Sequence, residues 1–310
     1  MTKVFIDGSA GTTGLRIYER LASRSDIELI TLPDALRKDP GARREAMNGA
    51  DVCFLCLPDA AAREAVTLVD NPATAIIDTS TAHRVADGWT YGFPELHGQR
   101  EAIMKSKRIA NPGCHATGFI SLVRPLTELG ILDKSALLSC FSLTGYSGGG
   151  KSMIADYEGP DKTADMASPG IYGLSQSHKH LPEMAKLCGL ESYPIFSPIV
   201  DDYLCGMATT LPLHMSMLKG IDSLERLRQV YADYYKGEKL VTAADSIGKS
   251  EKYYGGGMAG RDSLCIHLAG NDERATVTAI FDNLGKGASG AAIQNMNILL
   301  GLPEDTGLCV

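Results

Sequence analysis

A single thiol stands where the chain can activate it. Cys114 follows the turn-forming pair Pro112-Gly113 and precedes a run of small and apolar residues that permits a helix. At a helix N-terminus, unpaired backbone N–H groups and the positive end of the helix dipole favour the thiolate over the thiol. The same N–H groups can stabilise an oxyanion on a carbonyl that the sulfur attacks. A buried, unreactive cysteine is the alternative interpretation, because cysteine is among the residues most often buried.

A second reactive segment holds two histidines. His178 and His180 flank Lys179, and Glu183 follows within one helical turn. A His-x-His pair also occurs in zinc sites, but no further ligand of suitable spacing lies nearby, so we predict no metal. The functional interpretation is one histidine acting as general acid or base for the thiol. Two surface histidines at the start of a helix are the alternative.

The elements that must position these groups begin with a glycine loop. A short apolar strand at residues 4–7 leads into Gly8, Gly11 and Gly14, and helical periodicity follows from Leu15. Missing side chains let the backbone approach a pyrophosphate at a helix N-terminus. We therefore predict a dinucleotide site made by Gly8, Ser9, Ala10, Gly11, Thr12, Thr13 and Gly14.

The corner after the second predicted strand, residues 27–32, bears on the choice of dinucleotide. Arg37 and Lys38 are compatible with the 2'-phosphate of NADP. Asp34 precedes them, and an acidic residue near this corner is typical of sites that hold the free ribose hydroxyls of NAD. A solvated loop is a third interpretation, so the residues alone leave the choice open.

Hydroxyl groups and an arginine follow the predicted strand at residues 75–78. Ser80 and Arg84 lie in this stretch, at the carboxyl end of a parallel strand, where ligands bind in open α/β sheets. Arg84 is a candidate for holding a phosphate or carboxylate through two parallel hydrogen bonds. A surface ion pair is the alternative for Arg84.

Residues 145–152 match the phosphate-loop pattern G-x-x-x-x-G-K-S, so an ATPase or GTPase is a rival function. The loop lies in mid-chain, and residues 1–110 already supply a nucleotide site. The nearest strand with a magnesium-binding Asp would be residues 199–201, but Pro194 and Pro198 precede it and proline is rare in central strands. We favour a flexible loop in which Gly148, Gly149 and Lys151 lie over a nicotinamide or substrate.

Composition limits the class of protein. The 310 residues suffice for two domains, and 44% hydrophobic with 22% charged residues is ordinary for a globular protein. A net charge of -7 argues against a nucleic-acid surface, and no apolar run approaches the ~20 residues of a membrane helix. The N-terminus lacks an export signal, so we expect a cytoplasmic protein whose eight cysteines are reduced. Cys53 and Cys56 lie on one predicted strand and should point to opposite faces.

The remaining pattern predicts two kinds of domain. Strands and helices alternate up to about residue 110, which is typical of a parallel α/β sheet. Residues 205–282 alternate apolar strands with a helix at 223–235, so we expect an α+β domain with a largely antiparallel sheet and an oligomer interface. Glycines and alanines at residues 283–297 predict a closely packed helix, which contains Asn295, returns to the first domain and faces a ligand with its N-terminus.

Several of these stretches together resemble the N-acetyl-gamma-glutamyl-phosphate reductase family, in its shorter form, over nearly the whole chain. The matching residues are 5–14, 55–59, 78–84, 91–96, 111–117, 145–151, 178–183 and 286–292. The resemblance implies a Rossmann-type NADP-binding domain of residues 1–113 and 286–310. It also implies a catalytic and dimerisation domain of residues 114–285, like that of aspartate-semialdehyde dehydrogenase, in a homodimer or homotetramer.

The resemblance further implies NADPH-dependent reduction of N-acetyl-gamma-glutamyl phosphate to the semialdehyde and phosphate, a step of arginine biosynthesis, through a thioester. It makes Cys114 the nucleophile and places its partner in the histidine segment, where we expect His180 rather than His178. Together with the glycine loop, the expected cofactor contacts are Ser80, Gly148, Gly149 and Asn295, and the expected substrate contacts are Arg84, Asn111, His178, Lys151 and Glu183. Reduction of aminoadipyl or aspartyl phosphate, and a non-catalytic NADP sensor, remain alternatives.

Overall fold

The computed structural model describes residues 1–247 and 252–310. These residues form two compact units. The first unit comprises residues 1–112 and 288–308, and the second comprises residues 113–287 and 309–310. Gly113 and residues 286–287 and 309–310 therefore lie in the second unit, whereas the sequence placed them in the first. Cys309 is held there by Asp262, whose Oδ2 accepts the Cys309 N–H at 2.9 Å and whose N–H donates to the Cys309 carbonyl at 2.6 Å.

Strands and helices alternate through most of the chain. Up to residue 112 they are β1 (Thr2–Asp7), α1 (Thr12–Ala22), β2 (Ile27–Ile30), α2 (Pro40–Asn48), β3 (Val52–Leu55), α3 (Asp59–Val66), β4 (Ala75–Asp78), β5 (Thr90–Tyr91), α4 (Gln99–Lys105) and β6 (Arg108–Ala110). Up to residue 287 they are α5 (Cys114–Glu128), β7 (Ser139–Gly145), α6 (Gly150–Glu158), β8 (Gly170–Ile171), α7 (Leu181–Cys188), β9 (Ile195–Asp201), β10 (Met207–His214), α8 (Leu224–Tyr234), β11 (Val241–Ala243), β12 (Leu264–Gly270) and β13 (Arg274–Phe281). Helix α9 (Gly290–Leu299) is the last element.

The first unit is built on a parallel sheet, as the sequence predicted. Its strand order is β2-β1-β3-β4-β6-β5, and each pair is parallel. The order changes direction between β1 and β3, and ligands bind at the carboxyl ends of strands at such a switch point. Apolar side chains alternate across β3, so that Phe54 joins one buried cluster and Cys53 another. Cys56 packs against the cluster of Phe54, which confirms that the two thiols face opposite ways.

The second unit contains a mixed, mostly antiparallel sheet, which confirms the second part of the expected fold. Its order is β11-β12-β13-β10-β7-β9-β8, with parallel pairs only at β11–β12 and β7–β9 within the described residues. Helix α5 packs against β10 and β13. The contact is so close that a Cβ atom at Gly118 would lie 2.3 Å from Thr209 Oγ1. This approach fixes the start of α5 against the sheet.

Strand β9 corrects one expectation. The sequence argued against a strand ending at Asp201 because Pro198 lies within it, yet β9 runs parallel to β7 with Gly145 opposite Asp201. Backbone N–H and C=O groups of one residue point the same way, and the Pro198 carbonyl accepts the N–H of Tyr172, just past the two-residue edge strand β8. The donor that proline lacks is therefore missing only on the edge side, where it is tolerated.

Two further features concern the cysteines and the apolar character of the helices. The eight cysteines all lie among the described residues, and none of them forms a disulfide. None of the described helices combines the length and the apolar character needed to cross a bilayer.

Candidate active site

The glycine loop of the first unit is shaped by its own backbone. Gly8 has φ +86°, and a Cβ atom there would lie 2.2 Å from the carbonyl oxygen of Cys56. A Cβ atom at Gly14 would lie 2.4 Å from the Gly8 carbonyl oxygen. Helix α1 begins at Thr12 without a side-chain cap, so its first N–H groups have no intrahelical acceptor. The Thr12 hydroxyl oxygen is buried and has no hydrogen-bond partner among the described residues. This donor-rich cradle fits the pyrophosphate of a dinucleotide.

A buried ion pair at the base of this loop was missed by the sequence analysis. Arg43 of α2 donates from Nη2 and Nε to Asp7 Oδ2, at 2.8 and 3.1 Å. Burial raises the pKa of Asp7, and the hydrogen bond from Arg43 opposes that shift. Asp7 immediately precedes Gly8, so the pair anchors the point where the loop leaves β1. In the sequence, the ion pair is indicated only by Asp7, a charged residue at the end of an otherwise apolar strand.

The corner expected to choose between NAD and NADP is an exposed ion pair. Arg37 Nη2 lies 2.8 Å from Asp34 Oδ1, one turn earlier. Both side chains are largely exposed. Lys38 is exposed beside them. The geometry leaves cation and anion side by side and does not by itself decide the cofactor.

The loop after β4 is organised by a buried carboxylate. Asp78 accepts hydrogen bonds from the N–H and hydroxyl of Ser80, and its Oδ2 lies 2.6 Å from Nδ1 of His83. The His83 ring stacks on Trp89 with ring centroids 4.1 Å apart. The Ser80 hydroxyl also accepts the N–H of Ala82, so a cofactor contact through this residue would fall to its main chain. No local sequence pattern predicted the contacts among Asp78, His83 and Trp89.

Arg84 is held by main-chain carbonyls. Its Nε donates to the carbonyl of Asn111 at 3.0 Å and its Nη2 to that of Thr79 at 3.1 Å. The Asn111 amide donates to the carbonyl of Ala288 and accepts from Nδ2 of Asn295. Both ends of the Asn111 side chain are thus engaged inside the first unit, which favours positioning over the substrate contact expected from the sequence.

Asn295 presents an unsatisfied acceptor. Its Nδ2 donates to the Gly92 carbonyl at 2.9 Å and to Asn111 Oδ1 at 3.2 Å, while its own Oδ1 is buried without a partner in the described part of the chain. These bonds fix which end of the amide is oxygen. An amide N–H of a ligand would be a suitable donor for this oxygen, and the cofactor role of Asn295 stays a prediction.

In the second unit, Cys114 is the first residue of α5, as the sequence predicted. Gly113 is the N-cap, in an extended conformation and without a side-chain cap. The Gly113 N–H donates to Oε2 of Glu183 at 3.2 Å. Gly287 backs the cysteine closely, since a Cβ atom at Gly287 would lie 3.0 Å from Cys114 Cβ. Cys114 itself is only partly buried, unlike Cys53, Cys140 and Cys188.

The histidine segment is brought to this turn by Glu183. Glu183 is 1% exposed, and its Oε1 lies 3.9 Å from Nε2 of His180. His180 is the N-cap of α7, and its N–H donates to Nδ1 of His178 at 3.3 Å. The carboxylate thus connects the cysteine turn with the histidine, which favours a positioning role for Glu183 over the substrate contact expected from the sequence.

His115 is a third histidine of this site, and the sequence analysis missed it. It is 2% exposed, with Nδ1 2.8 Å from Ser142 Oγ and Nε2 2.7 Å from the hydroxyl of Tyr172. Burial, followed by the charges of His178 and Lys179, lowers the pKa of His115 to about 3. The ring is therefore neutral and structural at ordinary pH, although it adjoins Cys114. Its partners lie far along the sequence, so no local pattern indicated them.

The loop at residues 145–152 has the strand and helix of a phosphate loop but not its available donors. The N–H groups of Gly145, Tyr146 and Ser147 donate to main-chain carbonyls of residues 203–206. A phosphate loop needs such N–H groups for its anion. Gly148 and Gly149 lie in a short 3-10 helix before α6, and Lys151 is exposed. No group of three or more potential metal ligands occurs among the described residues.

Comparison with known proteins agrees with this geometry. Residues 34–106 match the family model "Semialdehyde dehydrogenase, NAD binding domain", and residues 114–283 match "Semialdehyde dehydrogenase, dimerisation domain". The chain is 47% identical to N-acetyl-gamma-glutamyl-phosphate reductase 2 of Nostoc sp., with 99% of each chain covered. It is 45% identical to the N-acetyl-gamma-glutamyl-phosphate reductase of Chelativorans sp., with 96% of this chain and 98% of that one covered.

Solved structures share the fold at low sequence identity. The aspartate semialdehyde dehydrogenase of Francisella tularensis is 14% identical, with a TM-score of 0.72 over 97% of this chain and 100% of that one. Aspartate semialdehyde dehydrogenase II of Vibrio cholerae, complexed with ASA, is 12% identical to this chain. Its TM-score is 0.70, with 97% of this chain and 98% of that one covered.

Proposed function

Since the chain belongs to the N-acetyl-gamma-glutamyl-phosphate reductase family, we propose that it reduces N-acetyl-gamma-glutamyl phosphate to N-acetylglutamate 5-semialdehyde and phosphate, in arginine biosynthesis. NADPH is the proposed cofactor, and when bound it supplies the hydride. The observation that carries the proposal is Cys114 at the first position of α5, with His180 and Glu183 held against the same turn. That arrangement suits covalent transfer of an acyl group.

In the proposed reaction the Cys114 sulfur attacks the acyl carbonyl. A carbon–sulfur bond forms, the bond from carbon to the phosphate oxygen breaks, and a thioester remains on the enzyme. The N–H groups at the start of α5, which have no intrahelical acceptor, stabilise the oxyanion that forms during the attack. Arg84 and Lys151 are the proposed phosphate contacts, since each carries a cationic group suited to that anion.

His180 handles the proton in the second half of the reaction. After reduction, the oxygen on the acyl carbon takes a proton from the protonated His180 ring, so that this carbon carries a hydroxyl and the sulfur. His180 takes the hydroxyl proton, the carbon–oxygen double bond forms, and the sulfur leaves as thiolate with the electron pair of the carbon–sulfur bond. Glu183 supports this step because its carboxylate, 3.9 Å away, stabilises the protonated ring. His178 orients the segment through its contact with the His180 N–H.

Residues of the first unit are proposed to hold the cofactor. The loop at residues 8–14 takes the pyrophosphate, the buried oxygen of Asn295 accepts an amide N–H, and Ser80 contributes main-chain contacts. Gly148 and Gly149 are the proposed contacts from the second unit. NADPH rather than NADH is the choice that the family resemblance implies, and a lower KM for NADPH that rises in Arg37→Ala would agree with this choice.

The reverse reaction provides the test. Semialdehyde, phosphate and NADP⁺ should give reduced cofactor, read by absorbance. Cys114→Ser should lose turnover and keep NADPH binding, while Cys309→Ser, which changes an exposed thiol, should be as active as the unchanged protein. Turnover by Cys114→Ser would exclude the thioester. ATP hydrolysis that depends on Lys151, or NADPH binding without any turnover, would support the phosphate loop or the sensor instead.

The same assay measures which acyl chain the enzyme prefers in its substrate. We propose the N-acetylglutamyl substrate over an aminoadipyl or aspartyl analogue because relatives that are 44% and 47% identical carry that name. A difference of one methylene is worth about 1–3 kcal/mol, or roughly 10- to 200-fold in kcat/KM. An equal or higher kcat/KM for an analogue would reassign the substrate.

We also propose a cytoplasmic homodimer or homotetramer. The match to a dimerisation domain at residues 114–283 supports self-association, and the reduced thiols agree with a reducing compartment. Light scattering after size-exclusion chromatography measures the assembly directly. A monomer at micromolar concentration would contradict this part of the proposal.

A further inference from the structure

One residue of the loop that leads to the two histidines holds a costly backbone conformation. Gln176 has φ 54°, and within the described part of the chain it is the only residue other than glycine with a positive φ. Residues with a long side chain rarely adopt this left-handed conformation, because it brings Cβ too close to the following carbonyl oxygen. Such conformations persist where the surrounding structure fixes them, and they cluster at functional sites.

The side chain of Gln176 completes the edge of strand β9. Its Nε2 donates to the carbonyl of Phe196 at 2.9 Å, and its Oε1 accepts the N–H of Phe196 at 2.9 Å. Phe196 offers one main-chain donor and one acceptor, so this pairing fixes which end of the amide is oxygen. Strand β8 pairs with β9 only at Ile199 and Val200. The amide therefore occupies main-chain groups that a longer edge strand would otherwise pair.

The residue held in this way packs against the histidines of the site. Phe196 is 1% exposed, and its ring centroid lies 5.2 Å from that of His178 and 5.2 Å from that of His115, edge to face in both pairs. The His178 ring centroid lies 4.8 Å from that of His180. Gln176 thus binds the main chain of the residue whose ring supports the histidine segment.

The turn before the histidines contacts both β9 and the His178 ring. The Gln176 N–H donates to the carbonyl of Gly173 at 3.0 Å, which closes a turn at residues 173–176. A Cβ atom at Gly173 would lie 3.2 Å from Pro198 Cγ and 3.8 Å from His178 Cδ2. A change in the conformation of this turn would therefore move the histidine segment relative to the strand.

We propose that Gln176 is a positioning residue of the active site, whose amide fastens the turn at residues 173–176 to β9 and thereby sets the orientation of His180. The two hydrogen bonds to Phe196 hold the left-handed backbone in place. The inference rests on the proposed function, because His180 is the acid and base of that reaction. Gln176 acts through His180 and takes part in no proton transfer.

Hydrogen exchange at the Phe196 amide tests the bridge without any substrate. Exchange in the full-length protein is measured by mass spectrometry with fragmentation to single residues. Gln176→Met keeps the length of the side chain but has no amide, so the Phe196 N–H should exchange about tenfold faster. Gln176→Asn suits the left-handed backbone but is one carbon shorter, so it should show the same acceleration. Ser175→Ala is the control, since it removes an exposed hydroxyl that bonds to Ser177, and it should leave the rate unchanged.

Kinetics separate positioning from a purely structural role. In the reverse assay Gln176→Met should lower kcat about tenfold and change the KM for the semialdehyde less than about twofold, because a misplaced base weakens binding of the transition state alone. In a His180→Ala background the same substitution should change kcat by less than about twofold, since Gln176 acts through the side chain already removed. Circular dichroism confirms that each variant is folded.

Three results overturn the inference. They are an unchanged exchange rate at Phe196 in Gln176→Met, an unchanged kcat in that variant, and a further tenfold loss of kcat when the substitution is made in His180→Ala. An active reductase that gives any of these results would reject this inference alone. A protein inactive on acyl phosphates whose His180 ring signals in NMR move in Gln176→Met, but not in Ser175→Ala, would reject the proposed substrate and support the inference.

Discussion

Acidification should destabilise the second unit through one buried ring. His115 is 2% exposed, and burial together with the charges of His178 and Lys179 lowers its pKa from 6.5 to about 3. In the unfolded chain the same ring titrates near its ordinary pKa of 6.5. Above that pH the ring is neutral in both states and does not change the free energy of unfolding with pH. Below pH 6.5 the unfolded chain binds a proton at His115 that the folded protein does not bind, so the free energy of unfolding falls as the pH falls.

The size of this effect follows from the linkage relation. One proton of difference changes the free energy of unfolding by about 1.4 kcal/mol for each pH unit. Between pH 6.5 and 4.5 the folded ring stays neutral, while the unfolded ring goes from half to almost fully protonated, so the loss from His115 is about 2.3 kcal/mol. The loss continues toward pH 3, where the folded ring also takes up a proton.

Urea unfolding at a fixed protein concentration measures the effect. The free energy of unfolding of the unchanged protein should fall between pH 6.5 and 4.5 by about 2.3 kcal/mol more than that of His115→Gln, whose amide does not titrate. His214→Gln removes an exposed histidine and should lose as much stability as the unchanged protein. Equal pH dependence in His115→Gln and the unchanged protein, or an NMR titration of the folded His115 ring near pH 6, would refute the reasoning.

Three other substitutions test packing and chemistry. Gly118→Ala places a methyl group in the tight contact between α5 and β10 and should lower the free energy of unfolding by about 1–3 kcal/mol, measured in urea; an unchanged midpoint would show that the contact relaxes freely. His180→Ala should lower kcat by about 10²- to 10⁴-fold, and more than His178→Ala does, in the reverse assay; the opposite ranking would make His178 the base. Glu183→Gln keeps an acceptor for the Gly113 N–H but removes the charge near His180. Because the protonated His180 ring then loses its stabilising neighbour, the acid limb of the pH profile of kcat should move to lower pH. A shift to higher pH would contradict this role.

Local chemistry made part of this molecule predictable. The glycine loop at residues 8–14 and the start of α5 at Cys114 follow from glycine spacing, a Pro-Gly turn and helical periodicity within a few residues. Strand β9 was missed because the rule against proline ignores which side of a strand its absent donor faces, and at Pro198 that side is the edge.

The contacts of His115 with Ser142 and Tyr172 could not be foreseen for a different reason. His115 meets Ser142 27 positions away and Tyr172 57 positions away, and the register of β7 and β8 decides both contacts. Nothing near His115 in the sequence distinguishes it from the two histidines at 178 and 180, which were chosen because they stand close together. Pairing across the fold, rather than residue type, gives this histidine its role.

The route of the chain through its two units has a consequence for biosynthesis on the ribosome. Helix α9 supplies Ile293 and Met296 to the same buried cluster as Val4 and Ile17 of the first unit. That cluster cannot close until residues 113–287 have been translated, which takes about 10 to 35 seconds at roughly 5–20 residues per second. During this interval one face of the nascent parallel sheet lacks its last helix. We therefore expect chaperones to bind residues 1–112 while the second unit is still being translated.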